Sequence, residues 1–295
     1  MAMRRTVLIV ALLAAGACAL WQAVGEEPEN TPEVSPAERL GWRLGAQAWT
    51  FRQLTFFETV DRVKALGMKY VEMYPGQRVS ADIDAKTGPG MGAEVEAKVQ
   101  AKLKEAGVQL VNYGVTGLPG DEGACRRTFE WAKKMGIETI VAEPDPKDMP
   151  MIDRLCQEYG VNVAIHNHPK PSRYWNPDTV LAACKGLSKR VGACADTGHW
   201  ARSGLDPMEC LRKLEGRIVS FHFKDLNKMG AGHDVPWGTG ACDAGGMLAE
   251  MKRQGFRGVF SMEYEAAWQM EDLAGCVRFF NDQALKLAGQ EGEAD

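Results

Sequence analysis

The feature of this sequence that most restricts its fold is an alternation, repeated eight times, of short apolar runs with amphipathic stretches. Strands that alternate with helices favour a parallel sheet with crossover helices. Eight such units match a (β/α)8 TIM barrel, an α/β fold, better than an open sheet. The apolar runs have the length and composition of buried strands; they are LGAQAWT (44–50), YVEMY (70–74), QLVNYGV (109–115), TIVAEPD (139–145), NVAIHNH (162–168), VGACADTG (191–198), IVSFHFKDL (218–226) and GVFSMEYE (258–265).

The stretches between these runs support the same fold. Their apolar residues recur at helical spacing, and the clearest examples end in glycine, a common helix stop; they are FFETVDRVKALG (56–67), EVEAKVQAKLKEAG (94–107), ACRRTFEWAKKMG (124–136) and MIDRLCQEYG (151–160). No G-x-G-x-x-G follows the first run, so the usual sign of a dinucleotide-binding fold is missing.

The N-terminal segment has the pattern of a secretory signal. Two arginines precede an apolar run from Thr6 to Leu20, which is short for a membrane span of ~20 residues. Cleavage near Gly25, a lipid anchor on Cys18 and an uncleaved anchor helix are alternatives that the sequence leaves open. We predict export to the periplasm or another extracytoplasmic space. The predicted organisation is a signal peptide at 1–25, an acidic Pro-rich linker at 26–40, the barrel at 41–290 and a disordered tail at 291–295.

Charge and cysteine content narrow the class further. The net charge of −4 argues against a duplex-binding surface, so no nucleic-acid partner is expected. Seven cysteines follow Cys18 at wide spacings and without a C-x-x-C motif, which indicates buried thiols and leaves a disulfide open. A homo-oligomer is left open.

Polar residues that could carry chemistry close the apolar runs. In a barrel of this kind functional residues lie at the C-terminal ends of the strands. Buried unpaired charges are costly, so such residues need partners, and a divalent metal supplies one. Carboxylates and imidazoles without a thiolate suit Mn, Co, Mg, Zn or Fe. The residues are Glu143 and Asp145 in the fourth run, His166 and His168 in the fifth, Asp196 in the sixth, His222 and Lys224 in the seventh, and Glu263 and Glu265 in the eighth.

Five segments in order give the chain a resemblance to a known family. They are VAEPD (141–145), ADTGHW (195–200), SFHFKD (220–225), HDVPWGTG (233–240) and SMEYE (261–265). With them the sequence resembles the xylose isomerase-like TIM barrel superfamily, often called sugar phosphate isomerase/epimerase, from residue 44 to about 288.

The resemblance implies a site and a reaction. Its metal ligands would be Glu143, Asp196, His222 and Glu263, and the two glutamates would also exchange the proton on a substrate carbon. His199 matches a histidine that contacts substrate oxygens. The metal would stabilise the ene-diolate that forms when a proton beside a carbonyl is removed. Because phosphosugars are mostly cytosolic and no glycine-rich phosphate cradle is visible, we expect a non-phosphorylated sugar or sugar derivative as the partner.

The chain departs from this pattern on the fifth strand. Ketose epimerases of the superfamily often carry a carboxylate there, where this chain has His166-Asn167-His168. The pair is interpreted as a fifth ligand, an acid/base pair or a hydroxyl clamp. Inosose dehydratases and 3-keto-glycoside lyases of the superfamily also place histidines near this position. A lyase that performs β-elimination on a keto-sugar or 3-keto-glycoside is therefore the alternative to an isomerase/epimerase. An exported sugar-binding protein without turnover is a further alternative.

The remaining candidates come from neighbouring strand ends and loops. His166 and Lys224 are predicted to be catalytic beside the two glutamates. Substrate contacts are predicted for His168 and His199, for Glu72 at the end of the second strand, and for Trp49 and Trp237, because sugars stack on such rings.

Overall fold

The computed structural model describes residues 34–289, which form one closed barrel surrounded by helices. Within these residues the strands are β1 Trp42–Gln47, β2 Tyr70–Met73, β3 Gln109–Thr116, β4 Thr139–Ala142, β5 Asn162–His166, β6 Val191–Asp196, β7 Ile218–Phe223 and β8 Gly258–Met262. All eight pair in parallel in chain order, and β8 closes on β1. The predicted (β/α)8 TIM barrel is confirmed.

Helices cover the outside of the barrel. In the described part of the chain they are α1 Pro36–Arg39, α2 Phe56–Ala65, α3 Ala93–Ala106, α4 Glu122–Met135, α5 Met149–Tyr159, α6 Pro177–Ala183, α7 Thr197–Arg202, α8 Pro207–Lys213, α9 Ala244–Arg253 and α10 Met270–Gly289. The predicted glycine stops occur where expected: α3, α4 and α5 end at Gly107, Gly136 and Gly160, each in the left-handed conformation that glycine adopts readily.

The short helix α1 lies inside the stretch that the sequence predicted to be a linker. The Ser35 hydroxyl accepts from the Glu38 amide, the Glu38 carboxylate accepts from the Ser35 amide, and Pro36 occupies the first helical turn. This capping box makes a helical turn without an amphipathic period. Leu40 packs against the core, so the ordered domain begins before residue 41. The predicted signal peptide, Cys18 and the tail 291–295 lie outside the described residues.

Strand periodicity separates the barrel interior from the helix-facing core. On β7, Phe221 and Phe223 belong to the large core between strands and helices, whereas Ser220 and His222 have the opposite parity and face inward. Val141, Ala164 and Cys194 form a small separate apolar cluster on the inward side. The ionisable residues two positions further along the same strands therefore lie above this apolar floor, at the C-terminal mouth.

The state of the cysteines and the length and hydropathy of the helices bear on the sequence predictions. All seven cysteines between 125 and 276 are buried free thiols, as most were predicted to be. Among the helices that the structure describes, none combines the length and apolar character needed to cross a bilayer.

Phe260 on β8 is the ring on which the helix-facing aromatic core depends. It is fully buried and packs on Phe221 at a centroid distance of 4.6 Å, on Trp42 at 5.2 Å and on Phe280 of α10 at 5.4 Å.

We expect Phe260→Ala to lower the free energy of unfolding by about 3–5 kcal/mol, since it removes a buried ring and leaves a cavity. Leu285→Ala, at a position 58% exposed, is the control and should change it by less than about 0.5 kcal/mol. Equal unfolding midpoints in denaturant for the two variants would contradict this packing.

Candidate functional site

Four buried side chains converge at the barrel mouth. His166 ends β5, Asp196 ends β6, His222 lies on β7 and Glu263 follows β8 directly. One donor atom from each lies within 4.8 Å of the other three. The strand register creates this cluster, because Asp196 pairs with His222 across β6 and β7.

Two atoms of this cluster lack hydrogen-bond partners among the described residues. They are His166 Nε2 and His222 Nδ1, and both are buried. Asp196 Oδ2, also buried, lies 2.9 Å from the ammonium of Lys224. His166 Nε2 lies 3.5 Å from Asp196 Oδ2, and His222 Nδ1 lies 3.3 Å from Glu263 Oε2. Unpartnered buried polar atoms are costly. Two imidazole nitrogens and two carboxylates aimed at one region form a donor set that fits a divalent transition-metal ion.

Glu72 lies below this cluster, on the inward face of β2. It is completely buried, and its Oε1 accepts from His222 Nε2 at 2.8 Å. Ser261 Oγ donates to its other oxygen at 2.8 Å. Burial opposes a charge on His222, but Cys194, Glu72 and Glu263 raise the pKa of His222 above its ordinary value. A metal on Nδ1 would displace the proton there, while Nε2 keeps its hydrogen toward Glu72. The sequence predicted Glu72 to contact substrate; the structure instead places it beneath the site, because its parity and depth on β2 put His222 between it and the mouth.

Glu143 holds the neighbouring imidazoles in a similar way. Its Oε1 lies 3.3 Å from His166 Nδ1 and also contacts His168 Nδ1. Although burial opposes ionisation, hydrogen bonds from His166 and His168 hold the pKa of Glu143 well below its ordinary value. The hydrogen bond to Glu143 raises the pKa of His168. Of the four ligands implied by the resemblance, the structure brings Asp196, His222 and Glu263 together with His166. The fourth, Glu143, lies on the Nδ1 side of the His166 ring.

Lys224 is a fully buried ammonium at the same mouth. Its Nζ lies 2.9 Å from Asp196 Oδ2, 2.8 Å from Glu263 Oε2 and 2.9 Å from Glu265 Oε2, as ion pairs. Burial opposes its charge, but these carboxylates raise the pKa of Lys224 above its ordinary value. The α7 backbone approaches closely here: a Cβ on Gly198 would lie 2.7 Å from Lys224 Cδ, so glycine is required.

His199 lies on α7, one turn after Asp196. Asp196 Oδ1 caps this helix by accepting from the His199 amide at 2.7 Å, which leaves Oδ2 for the cluster. His199 Nε2 lies 3.5 Å from Asp196 Oδ2. Burial lowers the pKa of His199 to about 2, so the ring is neutral at pH 7.

A cavity of about 310 Å³ opens above the cluster. Of the predicted residues, it is lined by Trp49, His166, His168, His199 and Glu263. Two larger grooves, of about 470 and 490 Å³, lie elsewhere on the surface and contain none of the predicted site residues. We place the site at the barrel mouth because the ionisable groups converge there.

Trp237 is a further predicted residue that the structure places outside the cavity. It is 2% exposed and packs edge-on against Phe223 at a centroid distance of 4.8 Å, so it belongs to the core and not to the cavity. Its loop turns back because Asp225 Oδ2 accepts from the amides of Gly238 and Gly240 at 2.9 and 3.0 Å. This local turn buries the indole.

Three residues of the cavity wall were not among those predicted from the sequence. Gln47, Tyr74 and Val115 line it beside Glu265, and Trp49 and Tyr74 meet edge-to-face at a centroid distance of 5.1 Å. The available signal was strand parity, since Tyr74 follows Glu72 by two residues.

Comparison with known proteins agrees with this architecture. A family model described as xylose isomerase-like TIM barrel matches residues 60–280. The structure of an uncharacterized protein from Parabacteroides distasonis is similar over 82% of this chain and 99% of its own, with 33% identity and a TM-score of 0.68. A D-tagatose 3-epimerase-like protein is similar over 84% and 99%, with 16% identity and a TM-score of 0.64, which shows a shared fold.

A curated relative is similar over a shorter stretch. It is an inosose dehydratase from Lactiplantibacillus plantarum, 34% identical over 74 residues, which is 25% of each chain. The family model, by contrast, covers most of the barrel, from α2 to α10. The resemblance seen in the sequence is thus confirmed, and the chain belongs to the xylose isomerase-like TIM barrel family.

Proposed function

We propose that the protein is a divalent-metal-dependent isomerase or epimerase that moves a proton beside the carbonyl of a non-phosphorylated sugar or sugar derivative. The observation that carries this proposal is the convergence of His166, Asp196, His222 and Glu263 below the cavity, where a ring nitrogen of each of the two histidines has no hydrogen-bond partner among the described residues. A cluster at the floor of a cavity is where a small polar substrate meets groups able to exchange its protons.

The metal would be held by these four residues. The set differs from the one implied by the sequence in a single member, His166 in place of Glu143. Two imidazoles and two carboxylates favour Mn, Fe, Co or Zn over Mg. A bound divalent ion would supply Lewis-acid polarisation of a carbonyl oxygen, which makes the neighbouring C–H more acidic.

Glu263 is the proposed base. It lines the cavity, and although burial opposes ionisation, Lys224 and His222 hold the pKa of Glu263 well below its ordinary value. It is therefore a carboxylate at pH 7, able to accept a proton from a substrate carbon. Its Oε2 faces Lys224 and His222, which fixes the orientation of the carboxylate toward the cavity.

His168 is the proposed proton carrier on the opposite wall. It lines the cavity, and its Nδ1 is engaged by Glu143, so Nε2 is the nitrogen left for substrate. In the two-glutamate mechanism implied by the resemblance, Glu143 would contact substrate itself. Here Glu143 is not among the cavity-lining residues, and we propose that it acts by holding His166 and His168.

Lys224 is proposed to act through its neighbours. It is fully buried, so its ammonium reaches substrate less directly than Glu263 does. Although burial opposes ionisation of Asp196 and Glu263, the ammonium of Lys224 helps to lower the pKa of both, which maintains the base and the carboxylate ligands.

The cavity wall supports a neutral substrate. Among its described lining residues there is no Lys or Arg, while Glu263 and Glu265 both contribute negative charge. A phosphate group would find no cationic side chain to pair with on the described wall. Trp49, with 40% of its surface exposed, and Tyr74 offer ring faces suited to the C–H face of a sugar. An extracytoplasmic location, with the segment 1–25 as its signal, stays a prediction.

A metal-dependent lyase or dehydratase is the second candidate. The observation that favours it is the position of His168 and Glu263 on the wall of one cavity. The hydrogen bond to Glu143 raises the pKa of His168, which suits this imidazole to donate a proton to a departing β-substituent while Glu263 acts as the base. The similarity to an inosose dehydratase points the same way.

Product analysis separates the candidates. The metal-loaded protein is incubated in deuterated water with free ketoses and with 3-keto-glycosides and followed by NMR. Deuterium in an intact sugar supports the isomerase or epimerase, and release of the aglycone or water with formation of an enone supports the lyase. Metal binding with neither result would indicate a binding protein without turnover.

The base assignment predicts the effect of one substitution. Glu263→Gln should lower the rate of deuterium incorporation by about 10²-fold or more, because the amide cannot accept the proton. Glu271→Gln is the control, since its side chain is 78% exposed on α10 and should leave the rate unchanged. Full turnover by the Glu263 variant would show that another group is the base.

The ligand assignment predicts an order of metal affinities. His166→Ala should weaken metal binding more than Glu143→Gln, because we assign His166 as a ligand and Glu143 as its support. The measurement is titration calorimetry of metal-free protein. His233→Ala, on the exposed β7–α9 loop, should bind metal as the unchanged protein does. A Glu143 variant that loses the metal while the His166 variant keeps it would favour the ligand set implied by the sequence.

The position of Glu72 predicts a weaker effect on the same affinity. Glu72→Gln should raise the dissociation constant of the metal about 10–100-fold, the usual cost of losing the carboxylate behind a ligating histidine. Glu96→Gln is a matched control, because Glu96 is also a buried carboxylate but pairs with Lys134 on the outer helices. Equal dissociation constants for the two variants would show that Glu72 does not support His222.

A further inference from the structure

Arg202, the last residue of α7, is a partly buried cation that the proposed reaction leaves without a role. Its side chain is 19% exposed. One guanidinium nitrogen, NH1, lies 3.1 Å from His199 Nδ1 and also contacts Glu265 Oε2, while NH2 lies 2.9 Å from Asp234 Oδ2. Arg202 thus connects two carboxylates to a histidine of the cavity wall.

The contact with His199 determines the position of a proton. Arginine has only donors, so its NH1 donates and His199 Nδ1 must accept. A neutral imidazole that accepts at Nδ1 carries its hydrogen on Nε2. The contact is therefore compatible with the Nε2–H tautomer and incompatible with the Nδ1–H tautomer or with imidazolium.

The guanidinium is anchored so that it cannot easily turn away. Asp234, 2% exposed, also accepts from the amides of Glu265 and Ala266 at 3.1 and 3.2 Å. These bonds tie the β7–α9 loop to the end of β8 and hold the Asp234 carboxylate against NH2. Through Asp234, the segment HDVPWGTG (233–240) therefore fixes the position of the Arg202 guanidinium.

His199 Nε2 is the nitrogen on the site side of the ring. His199 lines the cavity, and its Nε2 lies 3.5 Å from Asp196 Oδ2. The rings of His166 and His168 lie at centroid distances of 5.6 and 5.5 Å. A hydrogen on Nε2 therefore points toward the space between the cluster and the cavity.

We propose that Arg202 is a positioning residue that holds His199 in its Nε2–H tautomer, so that His199 donates a hydrogen bond to a substrate oxygen and does not act as a base. The identity of the substrate rests on the proposed function, whereas the tautomer does not. Within that function, Glu263 and His168 handle the transferred proton, and His199 orients a hydroxyl or carbonyl oxygen.

Nitrogen NMR tests the tautomer directly. The full-length protein, labelled with ¹⁵N-histidine and loaded with Zn²⁺, is studied by long-range ¹H–¹⁵N correlation, with each of the five histidines assigned by substitution. We expect a pyridine-type Nδ1 and a pyrrole-type Nε2 for His199. In Arg202→Met these signals should move toward the other tautomer or toward a mixture, and Arg202→Lys, which retains a donor, should restore them. A pyrrole-type Nδ1 in the unchanged protein, or unaltered His199 signals in Arg202→Met, would overturn the proposal.

Controls separate this role from a general structural one. Arg43→Met is a matched control, because Arg43 also pairs with a carboxylate: its guanidinium donates to Glu138 at 2.7 and 2.6 Å. Arg43 lies on β1, away from the barrel mouth. This substitution should leave the His199 nitrogen signals unchanged. If Arg202→Met does not fold, Asp234→Asn keeps the guanidinium but weakens its anchor and should shift His199 in the same direction. Unchanged His199 signals in a folded Asp234→Asn would count against the anchor.

A second experiment measures steady-state kinetics of the variants with the sugar that shows deuterium exchange. We expect kcat/KM to fall about tenfold in Arg202→Met, the loss of one positioned donor, with recovery in Arg202→Lys. An unchanged kcat/KM together with an altered tautomer would overturn the donor role. If no sugar is turned over, the proposed reaction fails while the NMR result still decides the tautomer.

Discussion

The structure depends on the cost of burying negative charge at the mouth of a closed barrel. Asp196, Glu263 and Glu265 all reach the single ammonium of Lys224 within 2.9 Å. Arg202 also contacts Glu265 and pairs with Asp234, so four carboxylates face two cations. The net negative charge in a region of low polarity is unfavourable unless another cation shares it. A divalent ion on the donor atoms of His166, Asp196, His222 and Glu263 would supply that charge.

A second regularity is that each imidazole of the site has a partner behind it. Glu72 supports His222, Glu143 supports His166 and His168, and Arg202 supports His199. In each case one ring nitrogen is engaged, so the role of the other is determined. A carboxylate accepts from one ring nitrogen and leaves the other ring nitrogen to bind a metal or to accept a proton from substrate. The arginine donates to one ring nitrogen and leaves the other as a hydrogen-bond donor. The charge of the supporting side chain thus determines whether the free ring nitrogen accepts or donates.

Much of the architecture and part of the site follow from local patterns in the sequence. Eight alternating units and their glycine stops predict the barrel, and period-two parity places His166, His222 and Glu263 on its inward face. The exchange of Glu143 for His166 in the cluster was not predictable, since it depends on side-chain distances between strands. The position of Trp237 in the core was not visible in the sequence, because a loop turn held by Asp225 decides its burial. Glu72 was assigned to substrate because its depth below His222 leaves no trace in the local pattern.

The metal site is tested most directly by X-ray absorption at the edge of the metal bound by the full-length protein. We expect one ion per chain, with the multiple-scattering pattern of two imidazoles and with oxygen ligands from carboxylates. A spectrum with a single imidazole would return Glu143 to the ligand set in place of His166. A metal surrounded only by oxygen, or no bound metal, would show that His166, Asp196, His222 and Glu263 do not form the metal site.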